Sequence, residues 1–301
     1  MLHNDIELFK QVVIATGDAF GINYAIIEKD YYVTEVLKSI AEKEPKIIFK
    51  GGTSLSKCYG IIKRFSEDID FGFECEHHTT EGERKRIKAA IVSTIEEFGF
   101  TLTNPESVRS RRDYNKYIVA YPVEFSATSL KPNLIVETSV FVRAYPSVKR
   151  AATSYIYDYL KQDKRDDIIE KYSLSPFEIK VQSLDRTFID KIFAICDYYL
   201  DGRITEHSRH IYDLSKLYQN VTFDDNLKLL FKQVLRDRKA HPACLSAQDG
   251  VDIPRLLKEI VDGEVYKNDY ESITAALLFE EVPYETAINN IKLIIDSKLV
   301  L

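Results

Sequence analysis

Two aspartates separated by one residue, Asp68 and Asp70 in the segment SEDIDFGF, are the side chains of this sequence best suited to chemistry. The segment predicts a β-strand, and successive side chains of a strand alternate between its two faces. Asp68 and Asp70 should therefore share one face, with Ile69 and Phe71 on the other. Two carboxylates on one face suit Mg2+, which proteins usually hold through one or two carboxylates together with substrate phosphates.

A pair of glycines, Gly51 and Gly52, follows the apolar run 47–49 and precedes a short helix predicted over 53–63. Glycine lets the backbone approach a ligand closely, and the start of a helix offers free N–H groups to a phosphate. An Asp-x-Asp pair or a glycine pair alone is common in exposed strands and turns. The functional interpretation therefore depends on the order in which the elements follow one another. A strand, a glycine turn, a helix and a second strand in this order predict a site that binds a nucleoside triphosphate (NTP). The predicted phosphate-binding residues are Gly51, Gly52, Thr53, Ser54 and Lys57.

The order of these elements resembles the DNA polymerase beta-type nucleotidyltransferase superfamily. The segments FKGGTSLSK and RFSEDIDF are closer to the AbiEii/AbiGii toxin family, which includes the MenT toxins. EKDYYVTEVL, TFIDKIFAI and RHIYDLSKL resemble further segments of these toxins. The resemblance covers residues 28–37, 47–73, 131–140 and 183–217.

Carried over to this sequence, the resemblance implies a catalytic set made of Ser66, Asp68, Lys191 and Asp213. By pattern alone, Lys191 is an ordinary surface lysine and Asp213 is an i,i+4 partner of Arg209. Within the family, Lys191 would neutralise triphosphate charge as a point cation, and Asp213 would orient a basic residue or the acceptor. Arg209 and His210 are further candidates for phosphate contact.

An acidic residue, Glu137, lies inside the apolar run LIVETSVF, which predicts another strand. A buried glutamate is uncommon unless it is paired or bound to metal. The superfamily places a third carboxylate on a neighbouring strand, so Glu137 is a candidate metal ligand or general base. The alternative is an outward-facing glutamate on a half-exposed strand.

A basic run at 109–116, RSRRDYNK, lies beside two tyrosines and could contact a nucleic-acid backbone and stack on a base. The alternative is a solvated hairpin loop. The candidate RNA contacts are Arg109, Arg111, Arg112 and Lys116.

Composition limits the class of protein. The 301 residues are 45% hydrophobic and 29% charged, as in globular proteins, and no apolar run approaches the ~18 residues of a membrane span. With no signal-peptide pattern, the cytoplasm is the expected location. The net charge of −6 means that a nucleic-acid partner would need a local basic patch. Four scattered cysteines argue against a zinc site or a disulfide framework and predict free thiols: Cys58, Cys75, Cys196 and Cys244.

The pattern predicts an α+β fold in two domains. Residues 1–150 would form a nucleotidyltransferase-type mixed sheet with flanking helices. Residues 151–301 would form a mainly helical domain that contributes Lys191 and Asp213 to the site. The helices of this second part are expected at about 184–200, 209–218, 225–236, 253–261, 270–279 and 284–297.

The expected reaction is Mg2+-dependent transfer of a nucleoside monophosphate from an NTP to an acceptor hydroxyl, with release of pyrophosphate. The resemblance implies an RNA acceptor, in particular the 3′ end of tRNA, with growth arrest as the outcome and a cognate antitoxin as partner. One alternative is a protein acceptor, or phosphorylation of Ser66 itself. Another is a non-catalytic RNA- or protein-binding module on this fold.

Overall fold

The computed structural model describes residues 1–74, 79–127 and 130–299, so Cys75 lies outside the described residues. The chain forms two compact units. Unit 1 contains Met1–Gly60 and Ser66–Val181, and unit 2 contains Ile61–Phe65 and Gln182–Leu301. The division thus falls after Val181, whereas the sequence analysis drew the domain boundary after residue 150.

Unit 1 combines a sheet with helices. Its helices are α1 (Ile6–Phe20), α2 (Tyr24–Lys43), α3 (Gly51–Lys57), α4 (Glu81–Glu97), α5 (Tyr155–Gln162) and α6 (Asp166–Tyr172). Its strands are β1 (Ile47–Lys50), β2 (Asp68–Phe73), β3 (Thr101–Leu102), β4 (Tyr114–Ala120), β5 (Asn133–Ser139), β6 (Ser147–Ala152) and β7 (Phe177–Gln182).

The strands form one mixed sheet in the order β3-β4-β5-β2-β1-β7-β6. Strand β2 pairs antiparallel with β1 and parallel with β5, and β1 pairs in parallel with β7. Strand β4 is antiparallel to both β3 and β5. The predicted α+β class with a mixed sheet is confirmed, and the strand that carries both aspartates lies between β1 and β5.

The two faces of β2 differ in burial, as the alternation of its sequence predicts. Ile69 and Phe71 are 0% and 1% exposed and belong to the hydrophobic core, together with Val136 of β5. Asp68 and Asp70 on the other face are only partly buried. The apolar face therefore holds the strand in place, while the acidic face is partly open to solvent.

The segment between α3 and β2 departs from the predicted helix over 53–63. Helix α3 begins at Gly51 and ends at Lys57, and residues Ile61–Phe65 belong to unit 2. There the N–H of Phe65 donates to the carbonyl of Leu277 at 2.9 Å. The chain therefore contributes a short strap to unit 2 before it returns to unit 1 as β2.

Unit 2 is helical, as expected. Its helices are α7 (Leu184–Leu200), α8 (Arg209–Tyr218), α9 (Asp225–Lys239), α10 (Ile253–Asp262), α11 (Lys267–Asp269) and α12 (Tyr284–Asp296). The single helix predicted over 270–279 is instead a π-helical turn, Tyr270–Thr274, followed by a 3-10 turn, Ala275–Leu277. Of the described residues, none form a helix both long and apolar enough to cross a membrane.

Candidate active site

The acidic face of β2 continues onto its neighbour β5. Asp70 is in register with Glu137, and Asp68 is in register with Ile135. Residues paired across parallel strands point to the same side of a sheet, so Glu137 shares the face of Asp68 and Asp70. The structure thus places on one face of the sheet the three carboxylates singled out in the sequence; we call this surface the acidic face.

Glu137 also has a basic neighbour. Lys116 is in register with it on β4, and the Lys116 Nζ lies 3.4 Å from its Oε1. Lys116, which the sequence analysis placed in a basic loop, is therefore a strand residue facing a carboxylate. Of the described residues, no three or more His, Cys, Asp or Glu side chains are grouped closely enough to hold a metal ion. The fit to Mg2+ therefore depends on the Asp68 and Asp70 pair, with substrate phosphates as the remaining ligands.

Gly51 lies against Asp70. Its φ of +79° is in the left-handed region, and a Cβ added to it would lie 2.1 Å from Oδ2 of Asp70. Only glycine combines that backbone conformation with so close an approach to the carboxylate. The backbone turn and the metal-ligand candidate thus occupy one compact place, which suits a cation bound together with a phosphate.

The hydroxyl groups after the glycines are used within the protein. Thr53 Oγ1 donates to the carbonyl of Asp68 at 2.6 Å and lies 2.9 Å from Ser66 Oγ, and Ser54 Oγ donates to the carbonyl of Gly51 at 2.8 Å. These contacts tie α3 to the start of β2. Thr53 therefore has a structural role, and Ser66 lies beside it just before β2 begins.

Lys57 has an acidic partner inside unit 1. Its Nζ is 2.6 Å from Oδ1 of Asp30 and 2.5 Å from Oγ1 of Thr34, and the residue is 6% exposed. A phosphate contact by Lys57 would have to compete with this buried pair. Its position therefore fits anchoring of α3 more directly than the phosphate binding predicted from the sequence.

Acids and a lysine in a helix would ordinarily form a solvated face, but Glu28 and Lys29 of the segment EKD in α2 are buried. Glu28 accepts hydrogen bonds from the N–H groups of Glu124 and Phe125 at 2.9 and 3.0 Å, and burial raises the pKa of its carboxyl. Lys29 binds Glu67, the residue before Asp68. A signal for this burial was present in the sequence, because apolar residues surround these charges on all sides of the helix.

A second cluster of charges lies within unit 2. Arg64 of the strap binds Asp213 of α8 through two hydrogen bonds, Nε to Oδ1 at 2.7 Å and Nη2 to Oδ2 at 2.8 Å. Lys191 of α7 places its Nζ 2.7 Å from the same Oδ2 and 3.1 Å from Nδ1 of His210. Two basic side chains therefore share one carboxylate; we call this group the cationic cluster.

Burial sets the electrostatics of the cationic cluster. Asp213 is 0% exposed; its burial alone would raise the pKa, but Arg64 and Lys191 outweigh this and hold it well below its usual range. Burial lowers the pKa of Lys191, with Asp213 opposing the shift. Burial, reinforced by Lys191, also holds the pKa of His210 well below its usual range, so this imidazole is neutral at physiological pH.

These contacts correct the interpretation drawn from helical spacing alone. Lys191 is 7% exposed and is not a surface lysine, and Asp213 pairs with Arg64 and Lys191. The expectation that Asp213 orients a basic residue agrees with this geometry. Arg64 was missed because 149 positions separate it from Asp213, a distance over which no local pattern operates.

The basic run forms an exposed turn in unit 1. Arg111 has 86% of its side chain exposed, and Arg109 and Arg112 make hydrogen bonds to the carbonyls of Val108 and Ser107. The turn faces α4 across a concavity of about 640 Å³. Its charged lining residues are Glu81, Lys85, Lys88, Arg109, Arg111 and Arg112. Five basic residues and one acid make this a local basic surface on a chain of negative net charge.

A mixed sheet with an Asp-x-Asp strand after a glycine turn defines a nucleotidyltransferase fold. The model of the nucleotidyl transferase AbiEii toxin family, of type IV toxin–antitoxin systems, matches residues 35–290. Because the match spans most of the chain, the protein belongs to the AbiEii family. It is therefore a nucleotidyltransferase toxin that uses an NTP and has an antitoxin partner.

A solved structure shares the fold. The chain is similar to MenT4, a nucleotidyltransferase toxin from Mycobacterium tuberculosis H37Rv, with a TM-score of 0.54 and 17% sequence identity. The similarity covers 95% of this chain and 88% of that chain. A search of curated proteins gives no match.

Proposed function

We propose that this toxin is a Mg2+-dependent enzyme that transfers a nucleoside monophosphate from an NTP to RNA, with the 3′ end of tRNA as acceptor. The observation that supports it best is the acidic face, where Asp68 and Asp70 share one side of β2 and Asp70 lies against the backbone of Gly51. Modification of a tRNA end would stop translation, so growth arrest is the expected outcome in the cytoplasm when antitoxin is absent.

In the proposed reaction an acceptor hydroxyl oxygen forms a bond to the α-phosphorus of the NTP. The bond from that phosphorus to the bridging oxygen breaks, and pyrophosphate leaves with the electron pair. Bound Mg2+ would neutralise phosphate charge as the leaving group departs. Asp68 and Asp70 would hold the metal, and Glu137 would accept the proton of the hydroxyl or complete the metal ligands.

We also propose roles for the predicted residues outside β2 and β5. Lys191 would bind a phosphate oxygen as a point cation, and Asp213 would orient it. The neutral imidazole of His210 and the guanidinium of Arg209 are proposed to contact phosphate. Ser66, beside Thr53, is proposed to contact the bound nucleotide.

The basic surface on unit 1 is the proposed RNA contact. Its five basic residues would neutralise backbone phosphates, so RNA binding should weaken steeply as salt is raised. We expect Arg111→Glu/Arg112→Glu to raise the Kd for RNA and to flatten its salt dependence, with NTP binding unchanged. Lys149→Glu, an exposed lysine paired with Glu178, is the matched control for a change in charge elsewhere on unit 1.

The reaction is tested by incubating the protein with total tRNA, Mg2+ and each α-labelled NTP in turn, beside Asp68→Ala/Asp70→Ala. Label on RNA that disappears in the double variant would support the proposal and identify the nucleotide. Label on protein from an α-labelled NTP would indicate a protein acceptor. Label on protein only from a γ-labelled NTP would indicate phosphorylation, with Ser66 as the first position to examine.

A further inference from the structure

Lys29 is a fully buried lysine of α2 that the proposed reaction does not use. The residue is 0% exposed. Its Nζ donates to Oε2 of Glu67 in a short hydrogen bond and to the carbonyl oxygen of Lys131 at 2.6 Å. One ammonium group thus joins two segments that are distant in sequence.

Both partners of Lys29 lie just before strands of the acidic face. Glu67 immediately precedes Asp68, the first residue of β2, and Lys131 lies two positions before Asn133, the first residue of β5. These strands run in parallel, with Asp70 in register with Glu137. Lys29 therefore connects the leading ends of the two strands that carry the three carboxylates.

Register between these strands has chemical consequences. Side chains alternate along a strand, so a slip of one residue would turn Glu137 to the face opposite Asp68 and Asp70. A smaller shift would change the spacing between the carboxylates. A cation fixed to both leading ends opposes such movements.

We propose that Lys29 is a positioning residue that holds β2 and β5 in the register that keeps Asp68, Asp70 and Glu137 on one face of the sheet, where a divalent cation is proposed to bind. This inference rests on the metal role proposed for those carboxylates. A stabilising role alone explains the arrangement poorly, because a buried ion pair is costly to desolvate and an apolar pair of similar volume is often as stable. Fixing register is the use for which such buried polar contacts are best attested.

The test compares Lys29→Met, which keeps the length of the side chain and removes its three donors, with Glu28→Gln. Glu28 is the adjacent residue, is equally buried, and holds the backbone at 124–125 rather than the strand ends. Glu67→Gln is the second variant, because it weakens the same connection without leaving an unpaired carboxylate. The full-length protein is used throughout.

Two readouts need no turnover. The first is amide hydrogen exchange in peptides covering 66–71 and 131–137, with β1 (47–50) as the internal reference. The second is Mn2+ binding, followed by loss of the electron paramagnetic resonance signal of free Mn2+. We expect Lys29→Met to increase exchange in both peptides but not in β1, and to weaken Mn2+ binding about tenfold. Glu67→Gln should show the same pattern to a smaller degree, and Glu28→Gln should leave Mn2+ binding unchanged.

Exchange that rises equally in β1 would make Lys29 a general stabiliser and overturn the proposal. Unchanged Mn2+ affinity in a folded Lys29→Met or Glu67→Gln protein would overturn it as well. If wild type and Asp68→Ala/Asp70→Ala bind Mn2+ equally weakly, the metal site itself is wrong. That result removes the proposed reaction mechanism and, with it, this inference, and it is distinguishable because it appears without any change at Lys29.

Discussion

The acidic face of unit 1 and the cationic cluster of unit 2 differ in how their charged side chains are buried and paired. On the acidic face, Asp68, Asp70 and Glu137 are partly exposed, and Lys116 pairs with one of them. In the cationic cluster, Arg64 and Lys191 converge on Asp213, which is fully buried. The first region is built around carboxylates that are partly open to solvent, and the second around one carboxylate that two basic side chains enclose.

The difference in burial indicates what each region can do. Partly exposed carboxylates can exchange water for a cation at little cost, whereas a buried cluster must keep its charges paired to remain folded. Asp213 therefore serves the structure of unit 2 through Arg64, while Lys191 is the charge in excess of a one-to-one pair.

The largest expected effect is at the acidic face. Asp68→Ala/Asp70→Ala should lower nucleotide transfer by about 10³-fold or more, because several kcal/mol of charge stabilisation would be lost with the metal. Thermal unfolding should change little, since both side chains are partly exposed. Transfer that survives the double variant would end the interpretation of this face as the metal site.

The next effect separates the two cations of the cationic cluster. Asp213→Ala leaves Arg64 and Lys191 buried without their carboxylate, and should cost about 3–5 kcal/mol of unfolding free energy in urea titrations. Lys191→Met keeps the bidentate Arg64–Asp213 pair, so it should change stability by less than about 1 kcal/mol. The same variant should lower transfer about 10²-fold. A Lys191→Met protein as unstable as Asp213→Ala would show that Lys191 is structural.

A third prediction concerns backbone geometry on the acidic face. Gly51→Ala should lower transfer about 10²-fold, because a methyl group at this position displaces the Asp70 carboxylate. Gly60→Ala is the matched control: its φ is also positive, at +64°, but an added Cβ would meet no described atom within 4 Å. It should cost about 1–2 kcal/mol of stability and leave the activity per folded molecule unchanged. If both variants lost activity equally, backbone strain, and not displacement of the Asp70 carboxylate, would explain the loss in Gly51→Ala.

The smallest effect is a pH dependence in unit 2. Burial, with Arg209 and Arg203 adding to it, lowers the pKa of His207 from 6.5 to about 4. The unfolded chain therefore binds this proton first, so the stability contribution is full above pH 6.5 and falls as the pH drops towards 4. After allowance for solvent screening, we expect about 1 kcal/mol. As the pH is lowered from about 7 to about 5, the melting temperature of His207→Gln should fall by less than that of the wild type. An identical loss in both proteins would contradict the assignment.

The sequence predicted what local patterns determine. Alternation along β2 was enough to place Asp68 and Asp70 on one face, and the apolar context of Glu137 identified a strand that proved to be adjacent. Local patterns could not predict contacts between distant segments. The Lys116–Glu137 pair depends on the order of strands in the sheet, and Arg64 is 149 positions away from Asp213. The burial of Glu28 and Lys29 departs from the usual solvation of charged helix residues, although the apolar residues around them in the sequence of α2 indicate it.

The strap at Ile61–Phe65 has a consequence for how the chain is made and how it can be divided. Arg64 leaves the ribosome long before Asp213 is synthesised, so the helical unit cannot close its buried ion pair until the ribosome has added 149 further residues. Bringing Arg64 and Asp213 together also costs the loop-closure entropy of the long chain between them. A gene split at residue 181 would yield an N-terminal fragment that keeps a segment of the other unit and a C-terminal fragment that lacks its guanidinium. The N-terminal product would contain all of unit 1, whereas the C-terminal product would lack the strap of unit 2, so unit 2 cannot be moved as one continuous segment of the chain.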